Sequence, residues 1–265
     1  MSETWSGARP VAPDPVRVEV ADRLRVEVHA DRRAMGQAAA ARVVERLGQA
    51  LARRDQARLM LASAPSQLEF LDRLAAAPLA WGRIEAFHMD EYLGLDTRAP
   101  QSFAEFLRRQ LFGAVRPHAF HVLDGMPDPG AEAAHYTALL RAAPLDVVCC
   151  GIGENGHLAF NDPEVADFED PTTVKEVVLS PESRRQQVHD GMFPTLEVVP
   201  TRALTVTLPT LFGAAAISCV VPGPTKRTAL QRTLHGPIGE DCPATLLRRH
   251  PDCVLFTDPD AYGER

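Results

Sequence analysis

The chain has 265 residues, of which 45% are hydrophobic and 24% are charged, and its formal net charge is −7. This composition is ordinary for a folded globular protein, and the acidic balance argues against extensive nucleic-acid binding. No run of about 18 apolar residues is present, so the sequence predicts no membrane span.

The first residues, MSETWSGARPVAPDP, lack the basic region and apolar core of a signal peptide. We predict a flexible, Pro-rich arm over residues 1–20 and one domain over residues 21–265. The five cysteines form no C-x-x-C pair, and most lie in apolar runs, where cysteine behaves as a small hydrophobic residue. The simplest interpretation is a reduced, cytoplasmic protein without a metal site or a disulfide framework.

Apolar runs of five to seven residues alternate with helical patterns along the chain. Met35, Ala39, Val43, Leu47 and Leu51 are spaced four apart, which predicts a helix over 35–51. Further helices are predicted over 66–74, over 131–142, and in the segments that start at Gln101 and Pro224. Strands are predicted in the segments that start at Arg58, Arg83, Leu145, Val174, Ala203, Ala215 and Asp252.

This alternation predicts an α/β protein: a single doubly wound, Rossmann-like domain whose mainly parallel sheet is covered by helices on both faces. In such sheets, ligands bind beyond the carboxyl ends of the strands. Four segments that follow predicted strands therefore become candidates for one crevice. They are SAPSQ, DEY, GIGENGH and PGPTK.

The GIGENGHLAFNDP loop contains glycines, including Gly153 and Gly156, that let backbone amides approach a ligand closely. Its G-x-G-x-x-G string is weak support for a dinucleotide, because the loop is not the first βα turn. His157 lies between Asn155 and Asp162, and a histidine fixed in this way could move a proton near neutral pH. The alternative is a histidine that only satisfies the backbone of the loop.

The FHMDEY segment places two carboxylates at a strand end. Neighbouring strand residues point to opposite faces, so at most one of Asp90 and Glu91 enters the crevice. A carboxylate there could take a proton from carbon, or it could simply cap the following turn. A metal site formed by His88 and Asp90 is a further alternative, but few other ligand types surround it.

The remaining two loops are candidates for an anion. Lys226 follows Thr225 in the first turn of a predicted helix, where free backbone N–H groups favour a negative charge. Ser63, Ala64 and Ser66 follow the predicted strand at Arg58, and the two hydroxyls could bind a phosphate. A solvated surface lysine and a plain helix-capping serine are the alternatives.

Five motifs, taken in order, resemble the glucosamine-6-phosphate deaminase family, within the larger group that includes 6-phosphogluconolactonases. The motifs are FHMDEYLGL, QSFAEFL, GIGENGHLAFNDP, ALTVTLPTLF and PGPTKRTALQRTLHGPI, and the resemblance runs from about Arg58 to the end of the chain. The pairing of MDEY with GHLAFN is specific to the deaminase side. Lactonases have motifs similar to DER and GHTASLF at these two places.

The resemblance implies a catalytic set without a cofactor or a metal. His157 corresponds to the residue that opens the pyranose ring, and Asp90 corresponds to the base that moves a proton from C2 to C1. Asn155 and Asp162 correspond to the polar partners of that histidine. The implied product of the amino-sugar 6-phosphate is fructose 6-phosphate, with release of ammonia. The substrate- and phosphate-binding residues implied in the same way are Ser63, Ala64, Ser66, Gly153, Gly156, Arg184, His189 and Lys226.

The chain departs from the family pattern at three places. The first phosphate loop has lost both of its usual glycines, and Asp162 replaces a glutamate that is one methylene longer. The shorter side chain predicts either a closer backbone or a bridging water. An arginine that usually contacts the phosphate has no clear counterpart; the resemblance suggests His189 at its position, with Arg184 and Arg185 one turn earlier.

Two other functions remain as alternatives. Hydrolysis of 6-phosphogluconolactone would need no base at C2, so the aspartate of MDEY argues against it. A non-catalytic sugar-phosphate sensor would tend to lose Asp90 or His157 and to gain a DNA-binding module, for which the N-terminal arm is too short. Association of several copies of the chain is also left open by the sequence.

Overall fold

The computed structural model describes residues 12–126 and 128–263. Its strands are β1 (Arg17–Ala21), β2 (Leu24–Val28), β3 (Ala57–Leu61), β4 (Ile84–His88), β5 (Asp90–Tyr92), β6 (Ala119–His121), β7 (Val147–Cys150), β8 (Val174–Val178), β9 (Arg202–Val206), β10 (Ala216–Val221) and β11 (Cys253–Thr257). Within the described residues, eight of these strands form one sheet in the order β1-β2-β11-β10-β7-β3-β4-β6. Only the β1–β2 pair of this sheet is antiparallel.

Helices connect most of these strands. They are α1 (Arg32–Leu51), α2 (Leu68–Ala75), α3 (Phe103–Leu107), α4 (Pro129–Arg141), α5 (Pro181–His189), α6 (Leu208–Phe212), α7 (Arg227–His235) and α8 (Pro259–Tyr262). A π-helical turn, Arg108–Phe112, extends α3, and short 3-10 helices span Pro65–Gln67, Trp81–Arg83, Leu196–Val198, Pro224–Lys226 and Pro243–Arg249. The long helix predicted from fourfold apolar spacing is confirmed as α1, whose N-cap Asp31 accepts a hydrogen bond from the Ala34 N–H.

The helices cover both faces of the main sheet. Along β3, Met60 packs into one hydrophobic cluster together with α4 and α7, whereas its neighbours Leu59 and Leu61 pack into another cluster with α1 and α2. Alternate residues of a strand point to opposite faces, so the two clusters lie on opposite sides of the sheet. The predicted doubly wound, mainly parallel α/β fold is confirmed.

The strands predicted from Val174 and Ala203 are present, but they do not join the main sheet. They form β8 and β9, which lie with β5 in a separate antiparallel sheet of order β5-β9-β8. In β8, Val177 is buried while its neighbours Glu176 and Val178 are exposed. This one-sided burial is typical of an antiparallel sheet, and an apolar run alone does not say which sheet a strand will join.

The structure also differs from the predicted N-terminal arm. Residues 17–20 of the expected arm lie in β1, which pairs with β2 at the edge of the main sheet. Residues 1–11 lie outside the described part of the chain. None of the helices formed by residues 12–126 and 128–263 combines the length and the apolar character that a bilayer span requires.

The crevice predicted at the strand ends has a clear topological origin. In the sheet, β4 lies next to β3 towards one edge, whereas β10 lies next to β7 towards the other edge. β3 and β7 are neighbours, so the loops that leave them diverge and open a cleft between them. The small antiparallel sheet begins directly after β4, because β5 starts only one residue beyond it.

Candidate active site

A pocket lies at this point of divergence between β3 and β7. Its walls come from the loop after β3, from β5, from the loop after β7, from α5, and from the turn before α7. The lining residues are Ala62, Ser63, Ala64, Pro65, Ser66, Gln67, Met89, Asp90, Phe103, Gly151, Ile152, Gly153, His157, Ala159, Phe160, Gln186, Gln187, Asp190 and Lys226. All four segments predicted from the sequence therefore contribute to one cavity.

The two carboxylates of β5 serve different purposes. Asp90 lines the pocket, whereas Glu91 points to the other side of the small sheet and is fully buried. Glu91 accepts hydrogen bonds from the Ser102 hydroxyl at 2.7 Å and from the Ala104 N–H at 3.0 Å, at the start of α3. The capping role considered for Asp90 is thus taken by Glu91, and the carboxyl group of Asp90 is left to face the cavity.

Burial determines the acidity of Asp90. The side chain is almost entirely shielded from solvent, and this burial raises the pKa of Asp90 well above its ordinary value. The nearby charge of Glu91 raises that pKa further. An aspartate with a raised pKa is a stronger base than an exposed aspartate, which suits removal of a proton from carbon.

His157 reaches the pocket from the loop after β7, and its Nδ1 atom is held from behind. The Nδ1 atom lies 3.0 Å from Asp162 Oδ1 and 2.8 Å from Ser183 Oγ. With Asp162 ionised, we assign the hydrogen to Nδ1, which leaves the lone pair on Nε2 for a ligand. His157 therefore does more than satisfy hydrogen bonds of the loop backbone, because its ring is held against a carboxylate.

Asn155 and Asp162 lie behind His157 and do not line the pocket. Asn155 Oδ1 accepts a hydrogen bond from the backbone N–H of His157, and its Nδ2 donates to Asp162 Oδ1 at 2.9 Å. Burial raises the pKa of Asp162, but its contacts with His157, Asn155 and Ser183 outweigh burial and hold that pKa below its ordinary value. Asp162 is therefore an ionised partner that contacts the ring directly, and the backbone lies close enough to compensate for the shorter side chain.

The two predicted glycines of this loop have different surroundings. Gly153 lines the pocket beneath the imidazole, and a Cβ atom there would lie 2.2 to 2.4 Å from atoms of the His157 ring. Gly156 has a φ of +95° and faces Cys242, whose Sγ would lie 2.5 Å from an added Cβ. Gly156 is thus needed for the turn of the loop and does not line the cavity, contrary to its prediction as a substrate-binding residue.

The loop that carries His157 is attached to the small sheet. The Phe160 N–H donates to Thr205 Oγ1 at 3.1 Å, and the Asn161 side-chain amide donates to the carbonyl of Val206 at 2.9 Å. Thr205 is the residue of β9 that lies opposite Asp90 in β5. One strand therefore supports both His157 and Asp90.

Two further residues of the pocket lining are suited to an anion. Lys226 is only 5% exposed, so the surface-lysine interpretation is wrong. Burial lowers the pKa of Lys226, although the charges of Asp190 and Glu154 oppose this effect. The Ser63 hydroxyl is buried and has no hydrogen-bond partner within the described part of the protein. A buried cation and an unsatisfied hydroxyl in one cavity are what a phosphate group would need.

The capping interpretation of Ser66 is also not supported. Ser66 lies within the short 3-10 helix Pro65–Gln67, and neither this helix nor α2 has a side-chain hydrogen bond at its N-cap. Its hydroxyl instead accepts a hydrogen bond from Gln67 Nε2 at 3.2 Å and lines the pocket. Ala64 lines the same wall.

The structure does not bring Arg184 and His189 to the pocket. Arg184 donates to the backbone carbonyls of Leu196 and Val199 at 2.7 and 3.0 Å, and the side chain of His189 is 60% exposed beside Glu154. The reason is the helical period of α5. Positions 183, 186, 187 and 190 face inward, which turns 184 and 189 outward.

Sequence reasoning missed the inward face of α5. Gln186, Gln187 and Asp190 line the pocket, and Ser183 contacts His157 from behind. These residues follow a spacing of three and four, which would have revealed them if α5 had been recognised as a helix.

The metal alternative at His88 finds no support. His88 Nε2 accepts a hydrogen bond from the Leu123 N–H at 2.8 Å, and His88 does not line the pocket. Burial lowers the pKa of His88 to about 3, so the ring is neutral. No group of three or more metal-ligating side chains occurs among residues 12–126 and 128–263.

The protein thus has an α/β sheet with a carboxyl group, an imidazole and a buried lysine around one cleft. A model of the glucosamine-6-phosphate isomerases/6-phosphogluconolactonase family matches residues 30–255. The chain belongs to this family.

Individual relatives agree with this assignment. A glucosamine-6-phosphate deaminase of Exiguobacterium sp. is 38% identical over 176 residues, which cover 66% of this chain and 67% of that protein. The structure of a monomeric glucosamine-6-phosphate deaminase superimposes with a TM-score of 0.82 at 26% identity, covering 91% of this chain and 99% of that one. The 6-phosphogluconolactonase of Thermotoga maritima has a TM-score of 0.71 at 19% identity, covering 88% and 98%, and this similarity concerns the fold alone.

Proposed function

We propose that the protein converts glucosamine 6-phosphate to fructose 6-phosphate and ammonia by isomerisation followed by deamination. The observation that carries the proposal is the convergence of Asp90 and His157 on one cavity that also contains Lys226. The names of the relatives support the same reaction. A cytoplasmic location remains a prediction, as does any association of several copies of the chain.

The first chemical step is opening of the sugar ring. The Nε2 atom of His157 takes the proton of the anomeric hydroxyl and delivers it to the ring oxygen as the C1–O5 bond breaks. The imidazole is cationic between these two transfers, and the carboxylate of Asp162 next to Nδ1 stabilises that charge. The step moves one proton within the substrate and needs no other reactant.

The second step moves a hydrogen along the carbon chain. Asp90 removes the C2 proton, which is acidic because it lies next to the C1 aldehyde, and returns it to C1. A second proton moves from the amino nitrogen to O1, and the product is the C2 imine of fructose 6-phosphate. Water adds to this imine and ammonia leaves, so that the balance is one water consumed for each ammonia released.

The phosphate group is bound by three other residues of the cavity lining. Lys226 supplies the positive charge, and Ser63 and Ser66 supply hydroxyl groups. A charge-assisted contact of this kind holds the substrate so that C1 and C2 lie near the catalytic groups.

The two alternatives fit this arrangement less well. A lactonase needs no base at C2, and it would leave unexplained why the carboxyl group of Asp90 is buried facing the cavity. A sensor would have no need for a histidine fixed against an ionised carboxylate.

An ammonia-release assay tests the proposal. The 6-phosphates of glucosamine, galactosamine and N-acetylglucosamine would be compared, with hydrolysis of 6-phosphogluconolactone measured in parallel. We expect ammonia and fructose 6-phosphate from glucosamine 6-phosphate. Lactone hydrolysis without ammonia release would refute the proposal.

A further inference from the structure

The environment of Ser183 suggests a function that neither the sequence motifs nor the names of the relatives assign. Ser183 is 1% exposed, and its hydroxyl lies between two groups of the site. The Oγ atom lies 2.8 Å from His157 Nδ1 and donates a hydrogen bond to Asp162 Oδ1. A hydroxyl group can accept one hydrogen bond while it donates another, so Ser183 can bind both partners at once.

The beginning of α5 fixes this hydroxyl in place. Ser180 is the N-cap of the helix, and its side chain accepts a hydrogen bond from the Ser183 N–H at 3.0 Å. The backbone N–H of Ser180 donates to Asp162 Oδ2 at 3.2 Å. The same carboxylate is therefore bound to the first turn of α5 through both of its oxygens, where the positive end of the helix dipole also favours it.

The shorter acid at position 162 makes this additional contact relevant. Asp162 has one methylene less than the glutamate that the family resemblance implies at this position. Asp162 Oδ1 still lies 3.0 Å from His157 Nδ1, and the Ser183 hydroxyl supplies a second contact to the same nitrogen. The Ser183 hydroxyl is the neighbouring side chain that contacts both the ring nitrogen and the carboxylate.

We propose that Ser183 is a positioning residue for ring opening: its hydroxyl accepts the Nδ1 hydrogen of His157, donates to Asp162, and thereby keeps Nε2 aimed at the sugar. The inference rests on the proposed function. Ser183 does not line the pocket, so it acts through His157 and not on the substrate. Its contribution belongs to the ring-opening step and not to proton removal from C2, which Asp90 performs.

The test compares Ser183→Ala with Ser183→Thr, which retains a hydroxyl group. Ser218→Ala is the matched control, because Ser218 is an equally buried serine on β10 whose hydroxyl has no partner among the described residues. Each variant is assayed with glucosamine 6-phosphate and with an open-chain analogue methylated at O4 and O5, which can close into neither the furanose nor the pyranose. Thermal unfolding shows whether each variant is folded.

For Ser183→Ala we expect kcat on glucosamine 6-phosphate to fall about tenfold, the effect of one lost hydrogen bond, with KM changed by less than about twofold. Turnover of the open-chain analogue should be unchanged. Ser183→Thr should recover most of the activity, and Ser218→Ala should behave as the unaltered protein. Equal losses on both substrates, or no loss on either, would overturn the inference.

A second measurement does not depend on substrate. Nitrogen-15 NMR of the histidine rings in the ligand-free protein, with His157→Gln to assign the signal, reports which nitrogen carries the hydrogen. We expect an Nδ1–H tautomer in both proteins, because Asp162 remains beside Nδ1, and a shifted Nδ1 signal in Ser183→Ala, because one of the two acceptors of this hydrogen is lost. An unchanged Nδ1 signal would overturn the inference. A shifted signal in a protein that releases no ammonia would instead overturn the proposed function.

Discussion

Gly153 lies directly beneath the imidazole of His157, so close that a Cβ atom at position 153 would be 2.2 Å from Cε1 of the ring. The absence of a side chain at this position is therefore a requirement for the orientation of the histidine. We expect Gly153→Ala to push the ring away and to lower kcat about 100-fold, the usual cost of misplacing a catalytic group by about 1 Å.

Gly82→Ala is the control for that experiment, because nothing lies within 4 Å of an added Cβ at position 82. Steady-state kinetics and thermal unfolding of both variants would separate a local effect from a loss of folding. Full activity of folded Gly153→Ala would contradict the geometry described for His157.

Replacement of Asp90 should remove the base without removing the binding site. We expect Asp90→Asn to lower kcat by about 10²- to 10⁴-fold, since an amide cannot accept the C2 proton. The check is the loss of deuterium from substrate labelled at C2, measured by NMR beside turnover. Asp72→Asn, on a side chain that is 73% exposed, is the matched control. Unchanged exchange in Asp90→Asn would show that another group is the base.

The variant His157→Gln should discriminate between closed and open sugars. Loss of the imidazole removes the proton carrier for the ring oxygen, so we expect turnover of glucosamine 6-phosphate to fall about 10²- to 10⁴-fold. The open-chain analogue should lose much less. The exposed His235 provides the control substitution His235→Gln. Equal losses on both compounds would place His157 outside ring opening.

Lys226 and Lys175 are the two lysines of the chain, which offers a matched pair. We expect Lys226→Met to raise KM for glucosamine 6-phosphate about 10- to 100-fold, because a charged contact to the phosphate is lost. Lys175 forms an ion pair with Asp170 away from the pocket, so Lys175→Met should leave KM unchanged. Isothermal calorimetry with inorganic phosphate checks the same effect without turnover, and equal phosphate affinity in both variants would contradict it.

The raised pKa of Asp90 has consequences for pH dependence. Asp90 acts as a carboxylate, and burial raises its pKa, so kcat/KM should fall as the pH drops through a value above the ordinary aspartate pKa of about 3.9. This acidic limb should be absent from the residual activity of Asp90→Asn. An acidic limb of the pH profile at the ordinary aspartate pKa would show that burial does not raise the pKa of Asp90.

Stability should respond to pH in the corresponding direction. The pKa of Asp90 is higher in the folded state than in the unfolded state. Its contribution to the free energy of unfolding is therefore fully present below the unfolded pKa and is lost as the pH rises through the folded pKa. Asp90→Asn removes the cost of a buried charge, so the variant should be more stable than the unaltered protein at neutral pH. Urea unfolding at neutral and acidic pH measures this difference, which should shrink in acid.

Some sequence patterns carry more information about the site than others. The alternation of side chains along a strand correctly predicted that only one of Asp90 and Glu91 faces the pocket. The position of Lys226 after a strand correctly predicted that it lines the pocket. Helix α5 was missed because its inward face carries serine and glutamine in place of apolar residues. A helix that packs against a polar cavity has no hydrophobic period to detect. His189 was predicted from the family resemblance, and the helical period of α5 places it outside the pocket.

The support that β9 gives to both catalytic groups has a mechanical consequence. The loop that carries His157 is bound to this strand by the hydrogen bond from the Phe160 N–H to Thr205 Oγ1, and Asp90 is paired with Thr205 directly. A substitution that displaces Thr205 would therefore disturb the positions of the carboxyl group and the imidazole together. Lys226 follows β10 of the main sheet, so its position does not depend on β9 in this way.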